Sequence, residues 1–370
     1  MKIVHVSPVV YLDRIRDSYD LGKTQAKNGH NVAVIGANAG KYTKLDINDR
    51  MTIYLLPSLD FSYPRKVTSS SIVLGLEDLL KRLSPDVIHI QTHLNFTAIR
   101  TLQIANKLGI PTITTIHGVT AKINPLIDAA QLAYLRTIGS MISKYSFKVV
   151  ALTLQDQKTL VHLGWNSNKI IIIPNGVDTE LFTRGKNSDP QLIAWHGRFV
   201  AQKGLEYLIQ AASLIVKNGY PNIKFALVGE GPLKQNIALM AERLGVSKNI
   251  IFVGRLPSLK DIPVFLNQAN FYVLPSLREG MPWALLEAMA CGKPVIGSDI
   301  SGINDVITHG KNGLIVPPRN STALANSILL LLNNDKLRHD LGQNARQLMA
   351  EKYSWKIINE RIEKIYSDTF

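Results

Sequence analysis

Cysteine is nearly absent from this sequence, and so are several features that mark particular classes of protein. Cys291 is the only cysteine among 370 residues, which excludes an intramolecular disulfide and a cysteine-based zinc site. No apolar run approaches the roughly 20 residues that a membrane-spanning helix needs. The sequence therefore argues against a disulfide-stabilised domain, a zinc module and a transmembrane protein.

Negative charge is also in short supply, since the formal net charge is +14. The positive excess is spread over both halves, with no run of five like charges and no basic segment interleaved with aromatic residues. Nucleic-acid binding is therefore weakly supported, whereas an anionic substrate or an acidic membrane surface suits a diffuse excess. Asp13 and Arg14 interrupt the apolar N-terminal stretch, so we expect no signal peptide and a cytoplasmic protein.

The pattern of hydrophobic residues predicts an α/β protein with two domains. Hydrophobic residues make up 46% of the chain, enough for two sizeable cores. Short β-branched runs alternate with longer amphipathic stretches, which is typical of a parallel sheet with helices on both faces. The strands predicted in the first half are Lys2–Ser7, Asn31–Gly36, Thr52–Leu56, Val87–Gln91, Pro111–His117, Lys148–Leu152 and Ile170–Pro174. Those predicted in the second half are Leu192–Gly197, Lys224–Gly229, Ile250–Gly254, Phe271–Pro275, Pro294–Ser298 and Gly313–Val316.

Domain boundaries follow from composition. The polar stretch Thr183–Pro190 is the best candidate for a linker. We therefore predict a first domain over 1–182, a linker over 183–190 and a second domain over 191–352. The tail Glu351–Phe370 is predicted as one amphipathic helix, and its residues 353–370 are assigned to the first domain. Two doubly wound units in tandem would leave a cleft at their strand ends, which suits two substrates.

Residues 275–294 place two acids in an unusual setting. Pro282 can begin a helix, and Gly292 can end it. The helix between them is apolar except for Glu287, and a buried carboxylate needs a partner. Glu279 and Gly280 lie in the loop that enters this helix, where backbone N–H groups attract phosphate. The alternative is that Glu279 is an ordinary loop charge and that Glu287 faces solvent.

Five motifs along the chain point to one family. They are His117-Gly118, IIIPNGVDTELF (171–182), HGRFVAQKGLEYLIQA (196–211), LVGEGP (227–232) and REGMPWALLEAMACGKPVIGSDISGINDVI (278–307). In this order and spacing, the chain resembles the retaining glycosyltransferases of family 4, the glycosyl transferases group 1. The resemblance runs from Met1 to the tail. It implies a GT-B fold, two Rossmann-like domains facing a central cleft, and sugar transfer from a nucleotide-sugar donor to an acceptor hydroxyl.

The resemblance also implies a set of donor-binding residues in the second domain. Arg198 and Lys203 look like the pair that holds the donor diphosphate, with no cofactor and no metal required, and the sequence has no Asp-x-Asp pair. Glu287 looks like the acid that hydrogen-bonds the ribose, and Glu279 like the acid beside the transferred sugar. The remaining donor-binding residues that it implies are Gly229, Gly231, Arg255, Leu256, Gly280, Met281, Pro282 and Trp283. The alternative for the two cations is a pair of surface residues near a helix start.

In the first domain, His117 ends the predicted strand TITTIH and matches the family's cleft histidine, which contacts the sugar. Two features depart from the family pattern. Gln91 stands where members often have a histidine, and the loop after the first strand lacks the usual Gly-Gly pair. We expect acceptor contacts from side chains instead, and the candidates are Tyr11, Asp13, Arg14 and His93.

The acceptor is expected to be a glycan, a lipid-linked saccharide or a small molecule. Tyr63–Lys66 and Ile123–Lys148 combine apolar residues with basic ones, which would suit peripheral docking on the inner face of the cell membrane. The alternative for Ile123–Lys148 is a core-packing helix with a solvated basic face. The interleaved residues in the second segment and directly before it are Lys122, Leu126, Ile127, Leu132, Leu135, Arg136, Ile138, Met141, Lys144 and Lys148.

Two other functions compete with glycosyl transfer. A sugar-nucleotide epimerase of the same fold would need no acceptor, and it would change the sugar of a nucleotide sugar supplied alone. A catalytically silent module would bind nucleotides or polyanions and transfer nothing. The silent module is the weaker alternative because both acids and both cations of the donor motif are present.

Overall fold

The computed structural model describes residues 1–7, 17–38, 42–60, 71–92, 96–119, 125–185 and 188–370. Within these residues the chain forms two compact units. The first unit is Met1–Gly176 together with Trp355–Phe370, and the second is Val177–Ser354. Each unit is built around a mainly parallel β-sheet with helices, so the α/β fold class expected from the sequence is confirmed.

The strands of the first unit are β1 (Lys2–Val6), β2 (Asn31–Asn38), β3 (Thr43–Asn48), β4 (Met51–Asp60), β5 (Ser71–Val73), β6 (Val87–Ile90), β7 (Thr112–Ile116), β8 (Lys148–Ala151) and β9 (Ile170–Ile172). Its sheet has the order β3-β4-β2-β1-β6-β7-β8-β9, and β5 pairs with β4. The β3–β4 and β4–β5 pairs are antiparallel, and the other pairs of this sheet are parallel. The helices within Met1–Gly176 are α1 (Asp17–Lys27), α2 (Leu76–Leu83), α3 (Phe96–Leu108), α4 (Pro125–Arg136), α5 (Ser140–Tyr145) and α6 (Leu154–His162).

The second unit contains β10 (Asp189–His196), β11 (Lys224–Val228), β12 (Ile250–Gly254), β13 (Ala269–Leu274), β14 (Val295–Ser298) and β15 (Leu314–Val316). These strands are all parallel, in the order β12-β11-β10-β13-β14-β15. Its helices are α7 (Leu205–Lys217), α8 (Lys234–Arg243), α9 (Asp261–Gln268), α10 (Trp283–Ala290), α11 (Ser321–Leu332) and α12 (Asp335–Leu348). The last helix, α13 (Trp355–Ser367), belongs to the first unit.

Both faces of the central parallel strands of the first sheet are buried, as parallel sheets require. Alternate residues of a strand point to opposite faces. Val4 of β1 accordingly packs in a cluster with residues of α2 and α3, whereas Ile3 packs with Leu21 of α1 and with Ile358 of α13. The amphipathic α13 therefore completes the core of the first unit. None of the helices among the described residues is long and apolar enough to cross a membrane.

Several boundaries differ from the sequence-based prediction. Residues 177–182 belong to the second unit, because Arg346 of α12 donates hydrogen bonds to the main-chain oxygens of Thr179 (2.9 Å) and Phe182 (2.6 Å). Strand β10 begins at Asp189, inside the predicted linker. The tail helix begins only at Trp355, because a π-helix occupies Met349–Tyr353.

Two strands of the first unit were not predicted at all. Most residues of β3 are exposed or half-exposed, so that it lacks the buried apolar signal of a central strand. The other, β5, is only three residues long. Both are antiparallel to β4, at the margin of the sheet, where burial is weakest.

A buried polar network ties α13 to the first sheet. His89 of β6 is fully buried, and its ring nitrogens lie 2.6 Å from the Tyr366 hydroxyl and 2.7 Å from the Thr115 hydroxyl. A neutral imidazole has one donor and one acceptor nitrogen, which matches two hydroxyl partners. Burial holds the pKa of His89 well below its usual value of 6.5, and the neighbouring His5 and His117 lower it further.

This network predicts acid lability. The folded-state pKa of His89 lies below the unfolded-state value, so below pH 6.5 the unfolded chain binds the proton more readily and stability falls. We expect the free energy of unfolding of the wild type to drop by up to about 1.4 kcal/mol per pH unit from this one group. His89→Gln keeps hydrogen-bonding groups without titrating, and urea titrations from pH 7 to pH 5 should show a shallower slope for it. Equal slopes would contradict this role of His89.

Candidate functional site

The carboxyl ends of three adjacent strands bring the predicted donor motifs of the second unit together. Strands β10, β11 and β13 are parallel neighbours, and His196 at the end of β10 is in register with Val228 at the end of β11. The segments that follow these strands are Gly197–Lys203, Gly229–Gly231 and Pro275–Pro282. Ligands of open α/β sheets bind at this edge. The motifs are therefore distant in sequence but adjacent in the fold.

Lys203 and Glu279 form an ion pair at this edge. The Lys203 Nζ lies 2.6 Å from the Glu279 Oε1, and the Ser276 hydroxyl donates to the same oxygen at 2.7 Å. Only 14% of the lysine side chain and 8% of the glutamate side chain are exposed. The backbone is tied here as well, since the Leu277 N–H donates to the Gln202 carbonyl at 2.8 Å. The pair is thus held in a mostly buried position with one charge of each sign.

Glycines allow the turns around this pair to pack tightly. Gly229 has φ +133°, and a Cβ there would lie 1.8 Å from the carbonyl oxygen of Gly197. Gly204, which precedes α7, has φ +60°, and its Cβ would lie 2.1 Å from the carbonyl oxygen of Pro275. A Cβ on Gly231 would meet Phe199 O at 2.6 Å. The family resemblance counts Gly229 and Gly231 among the donor-binding residues, and the structure shows that both pack against the backbone of the loop after β10.

The second acid, Glu287, is buried in α10 and has a partner within the protein. Its residue exposure is 2%, and its Oε2 lies 2.8 Å from Nε2 of His196. The ring of His196 stands edge-on to that of Tyr272, and the Tyr272 hydroxyl donates to the His196 main-chain oxygen at 3.3 Å. The solvent-facing alternative for Glu287 is therefore wrong. Helix α10 begins directly after Pro282, as the sequence predicted.

The remaining predicted donor residues differ in burial. Arg198 is exposed, in the loop between β10 and Lys203. Met281 and Pro282 are buried at the start of α10, whereas Trp283 is half-buried. Beyond β12, Arg255 is exposed and Leu256 half-buried. The roles of these residues toward a ligand stay predictions.

In the first unit, His117 follows β7 and its Nε2 lies 3.3 Å from the Gln91 Oε1. The glutamine that departs from the family pattern is therefore the partner of the predicted histidine. The loop after His117 is fixed because the Asp156 carboxylate accepts from the Val119 N–H at 2.9 Å. His117 and Gln91 also line a small cavity together with Asn175 and Trp355. Four predicted acceptor residues lie outside the described residues, namely Tyr11, Asp13, Arg14 and His93.

No group of three or more His, Cys, Asp or Glu side chains placed to hold a metal ion occurs among the described residues. The positive charge at the strand ends comes instead from Lys203 and Arg198. Burial raises the pKa of the Cys291 thiol to about 12, so this cysteine is a buried apolar residue near the end of α10 and not a nucleophile.

Comparison with known proteins identifies the family. The model of the glycosyl transferases group 1 matches residues 177–348, and that of Glycosyltransferase Family 4 matches residues 18–181. An uncharacterised glycosyltransferase of Methanocaldococcus jannaschii is 33% identical over 273 residues, which cover 72% of this chain and 70% of the relative. This chain is a family 4 glycosyltransferase.

Other relatives of this glycosyltransferase match along almost the whole chain. A UDP-Gal:alpha-D-GlcNAc-diphosphoundecaprenol alpha-1,3-galactosyltransferase of Escherichia coli is 26% identical over 384 residues, covering 99% of this chain and 95% of the relative. Sucrose-phosphate synthase of Thermosynechococcus elongatus has a similar structure, with a TM-score of 0.81 at 20% identity over 100% of this chain and 99% of that one. The Anabaena protein Alr3699/HepE, solved with UDP, has a TM-score of 0.78 at 17% identity and covers all of both chains. The structural matches confirm the predicted GT-B fold.

Sequence reasoning missed three residues at the site of this glycosyltransferase. His196 stands in the quoted HGR motif, at the end of a strand, but only the arginine was singled out. Ser276 lies three residues before Glu279, close enough to be found from spacing. Glu230 lies between two glycines, and a Cβ on Gly254 would lie 3.6 Å from its Oε1. Its carboxylate therefore lies near Gly254, directly before the predicted donor residues Arg255 and Leu256.

Proposed function

We propose that this glycosyltransferase moves a hexosyl group from a nucleotide sugar to an acceptor hydroxyl with retention of the anomeric configuration. The observation that carries the proposal is the mostly buried Lys203–Glu279 pair, 2.6 Å apart, at the carboxyl ends of the second sheet. One relative is named as a galactosyltransferase that uses UDP-Gal, and one structural neighbour was solved with UDP. Both names support a nucleoside diphosphate as the leaving group.

Lys203 and Arg198 are proposed to bind the diphosphate of the donor. Bond cleavage at the anomeric carbon leaves negative charge on the departing phosphate, and preorganised cations lower the barrier by stabilising it. Backbone N–H groups at the start of α10 add to this positive field. Since the protein supplies this charge, we propose that the reaction requires no metal ion.

Glu279 is proposed to lie beside the transferred sugar. Its Oε2 would bond a sugar hydroxyl or balance positive charge at the anomeric carbon as the glycosidic bond breaks. The acceptor hydroxyl would attack the face from which the diphosphate departs, and an oxygen of the leaving diphosphate would take its proton. This route forms one glycosidic bond, breaks one, needs no enzymic nucleophile and retains the configuration.

Glu287 is proposed to hold the ribose of the donor. Its Oε2 is engaged with His196, which fixes the carboxylate within a helix that is otherwise apolar. A carboxylate fixed in this way can accept hydrogen bonds from hydroxyl groups at little further entropic cost. The ribose diol of a nucleotide offers two such groups.

The proposal is tested by product analysis. The purified protein is incubated with UDP-glucose, GDP-mannose and ADP-glucose, each with a panel of glycan, lipid-linked and small acceptors, with and without EDTA. We expect one donor to give a product of the same anomeric configuration by NMR, at an unchanged rate in EDTA. A product of inverted configuration would contradict retention, and loss of turnover in EDTA would contradict metal independence. Epimerised sugar without acceptor would identify an epimerase instead.

We also propose peripheral contact with an anionic membrane through α4. Leu132 and Arg136 lie one turn apart on this helix and are exposed, and Ile138 just beyond it is 47% exposed. Leu135, by contrast, is fully buried, so only part of the interleaved stretch is available. Adjacent apolar and basic side chains suit an acidic lipid surface.

Co-sedimentation with vesicles of phosphatidylglycerol and phosphatidylcholine checks the membrane proposal. Arg136→Glu should weaken binding about 30-fold, since each basic residue near an anionic surface contributes about 1 kcal/mol and this substitution changes the charge by two units. Lys311→Glu, an exposed charge change in the second unit, is the control and should bind as the wild type does. Equal binding of neutral and anionic vesicles by the wild type would contradict the proposal.

A further inference from the structure

A turn after β14 contacts the loop that carries Glu279. We name Glu279–Pro282 the donor loop and Asp299–Val306 the supporting turn. Gly302 of the supporting turn has φ +85°, and a Cβ there would lie 2.0 Å from the carbonyl oxygen of Gly280 and 2.7 Å from its carbonyl carbon. The two backbones are therefore in direct contact. Only glycine fits at this position of the supporting turn.

The supporting turn is held in shape by one carboxylate. The Asp305 Oδ2 accepts a hydrogen bond from the Gly302 N–H at 2.8 Å and another from the Ser301 hydroxyl at 3.2 Å. An acid that accepts from the backbone N–H three residues earlier has the geometry of a capping box. These two bonds fix the backbone at the point where it meets the donor loop.

The supporting turn is also held by the core of the second unit, through the side chain of Ile303. Ile303 is fully buried, and a Cβ on Gly297 of β14 would lie 2.5 Å from its Cγ2. The Asn304 amide donates to the Asp299 carboxylate at 3.0 Å, which links the two ends of the turn. Movement of Gly302 is thus opposed by the sheet on one side, by Asp305 within the turn, and by Gly280 on the other side.

We infer that Asp305 is a positioning residue for donor binding, acting through Gly302 on the backbone of Gly280. The inference rests on the proposed function, in which the donor loop meets the nucleoside diphosphate sugar. Asp305 itself does not contact the donor in this scheme. Its carboxylate keeps Gly302 against Gly280, and this contact keeps the Gly280–Pro282 backbone and Glu279 where the diphosphate and the sugar bind.

The sequence contains the residues of this arrangement, in SGIND (301–305), but it does not show that they contact the donor loop. Asp305 lies 26 positions from Glu279 along the chain. The contact of Gly302 with Gly280 connects the aspartate with the donor site. Small displacements of groups that contact a reacting substrate cost up to about 100-fold in rate. A residue that positions such a group without touching the substrate can therefore have a large effect on the rate.

The test measures donor binding by titration calorimetry with UDP-glucose, GDP-mannose and ADP-glucose, using the full chain. For the donor that the wild type binds, Asp305→Ala should raise the Kd and the donor KM on the order of 10-fold, because it removes hydrogen bonds to a charged group. The acceptor KM should stay unchanged. Asp305→Asn keeps an oxygen acceptor for the Gly302 N–H and should restore the donor KM to within about 3-fold of the wild type.

Two further variants separate positioning from simple loss of folded protein. Gly302→Ala keeps Asp305 but forces the two backbones apart, and should weaken donor binding at least as much as Asp305→Ala does. Asp189→Ala, which removes an exposed carboxylate that accepts a backbone N–H at 2.8 Å in the same unit, should leave the donor KM unchanged. Partial unfolding would lower kcat and the calorimetric stoichiometry but would leave the donor KM unchanged.

The outcomes distinguish this inference from the proposed function. If the wild type binds a donor and Asp305→Ala binds it equally well, the positioning role is wrong while the proposed function stands. An Asp305→Asn variant as weak as Asp305→Ala would also overturn the role, because the accepting oxygen is preserved. If the wild type binds none of the three nucleotide sugars, both the proposed function and this inference fail.

Discussion

Lys203→Ala and Glu279→Ala should each lower kcat by about 100- to 1,000-fold, the loss typical of removing one group that stabilises charge in a transition state. The Lys203→Ala variant lacks the proposed contact with the departing diphosphate, and the Glu279→Ala variant lacks the proposed contact with the sugar. Circular dichroism checks that both variants remain folded. In Lys203→Ala, Ser276 still donates a hydrogen bond to Glu279. Initial rates at saturating donor and acceptor measure the effect.

A second cause would also lower kcat, because removing one member of a buried ion pair leaves the other charge unpaired. The double variant Lys203→Ala/Glu279→Ala separates the two causes. If each single variant lost turnover only because the other residue was left unpaired, the double variant would have a higher kcat than the single variants. We expect it to be no faster than the slower single variant. Lys336→Ala, which breaks the exposed pair with Asp340 (2.7 Å), is the matched control and should turn over as the wild type does.

Glu287→Ala should have the second-largest effect, and it should act on both stability and donor binding. Removing one partner of a buried hydrogen bond costs about 1–3 kcal/mol, and His196 would lose this partner in a nearly dry site. Glu287→Gln keeps an oxygen near His196 and should cost less in the free energy of unfolding. Urea titrations of the three proteins measure the difference.

The proposed contact of Glu287 with the ribose is tested separately, by nucleotide binding. If Glu287 bonds the ribose hydroxyls, the wild type should bind UDP about 10- to 100-fold more tightly than 2′,3′-dideoxy-UDP, provided that uridine is its nucleoside. The Glu287→Gln variant should lose most of this preference, since a neutral amide is a weaker acceptor than a carboxylate. The guanosine or adenosine pair replaces the uridine pair if the donor screen selects that base. A preference that survives the substitution unchanged would assign Glu287 to stability alone.

The helix α10 shows how far sequence reasoning reaches. Pro282 can begin a helix and Gly292 can end one, and the structure has the helix at Trp283–Ala290. Its apolar composition also favoured a buried Glu287 in need of a partner, with a solvent-facing Glu287 as the alternative. The identity of that partner was out of reach, because His196 lies 91 positions earlier in the chain and meets Glu287 only when β10 is in place.

The errors have a physical pattern as well. Strand β3 was missed because most of its residues are exposed or half-exposed, so its sequence lacks the apolar run by which the central strands were found. The predicted linker begins after the boundary between the two units, which lies at Val177. Thr179 and Phe182 are held through their main-chain oxygens, and since every residue has a main-chain oxygen, the sequence gives no sign of these contacts. Local composition cannot report a contact that depends on Arg346, far along the chain.

The sequence by itself determined the alternation of strands and helices, the family, and the residue types available at the strand ends. These are local properties, set by hydrophobic periodicity and by short motifs with fixed spacing. The tertiary structure alone decided that Lys203 meets Glu279, that Glu287 meets His196, and that Gly302 supports Gly280. Those contacts join residues 22 to 91 positions apart, and their geometry follows from sheet order and backbone packing, which no local pattern encodes.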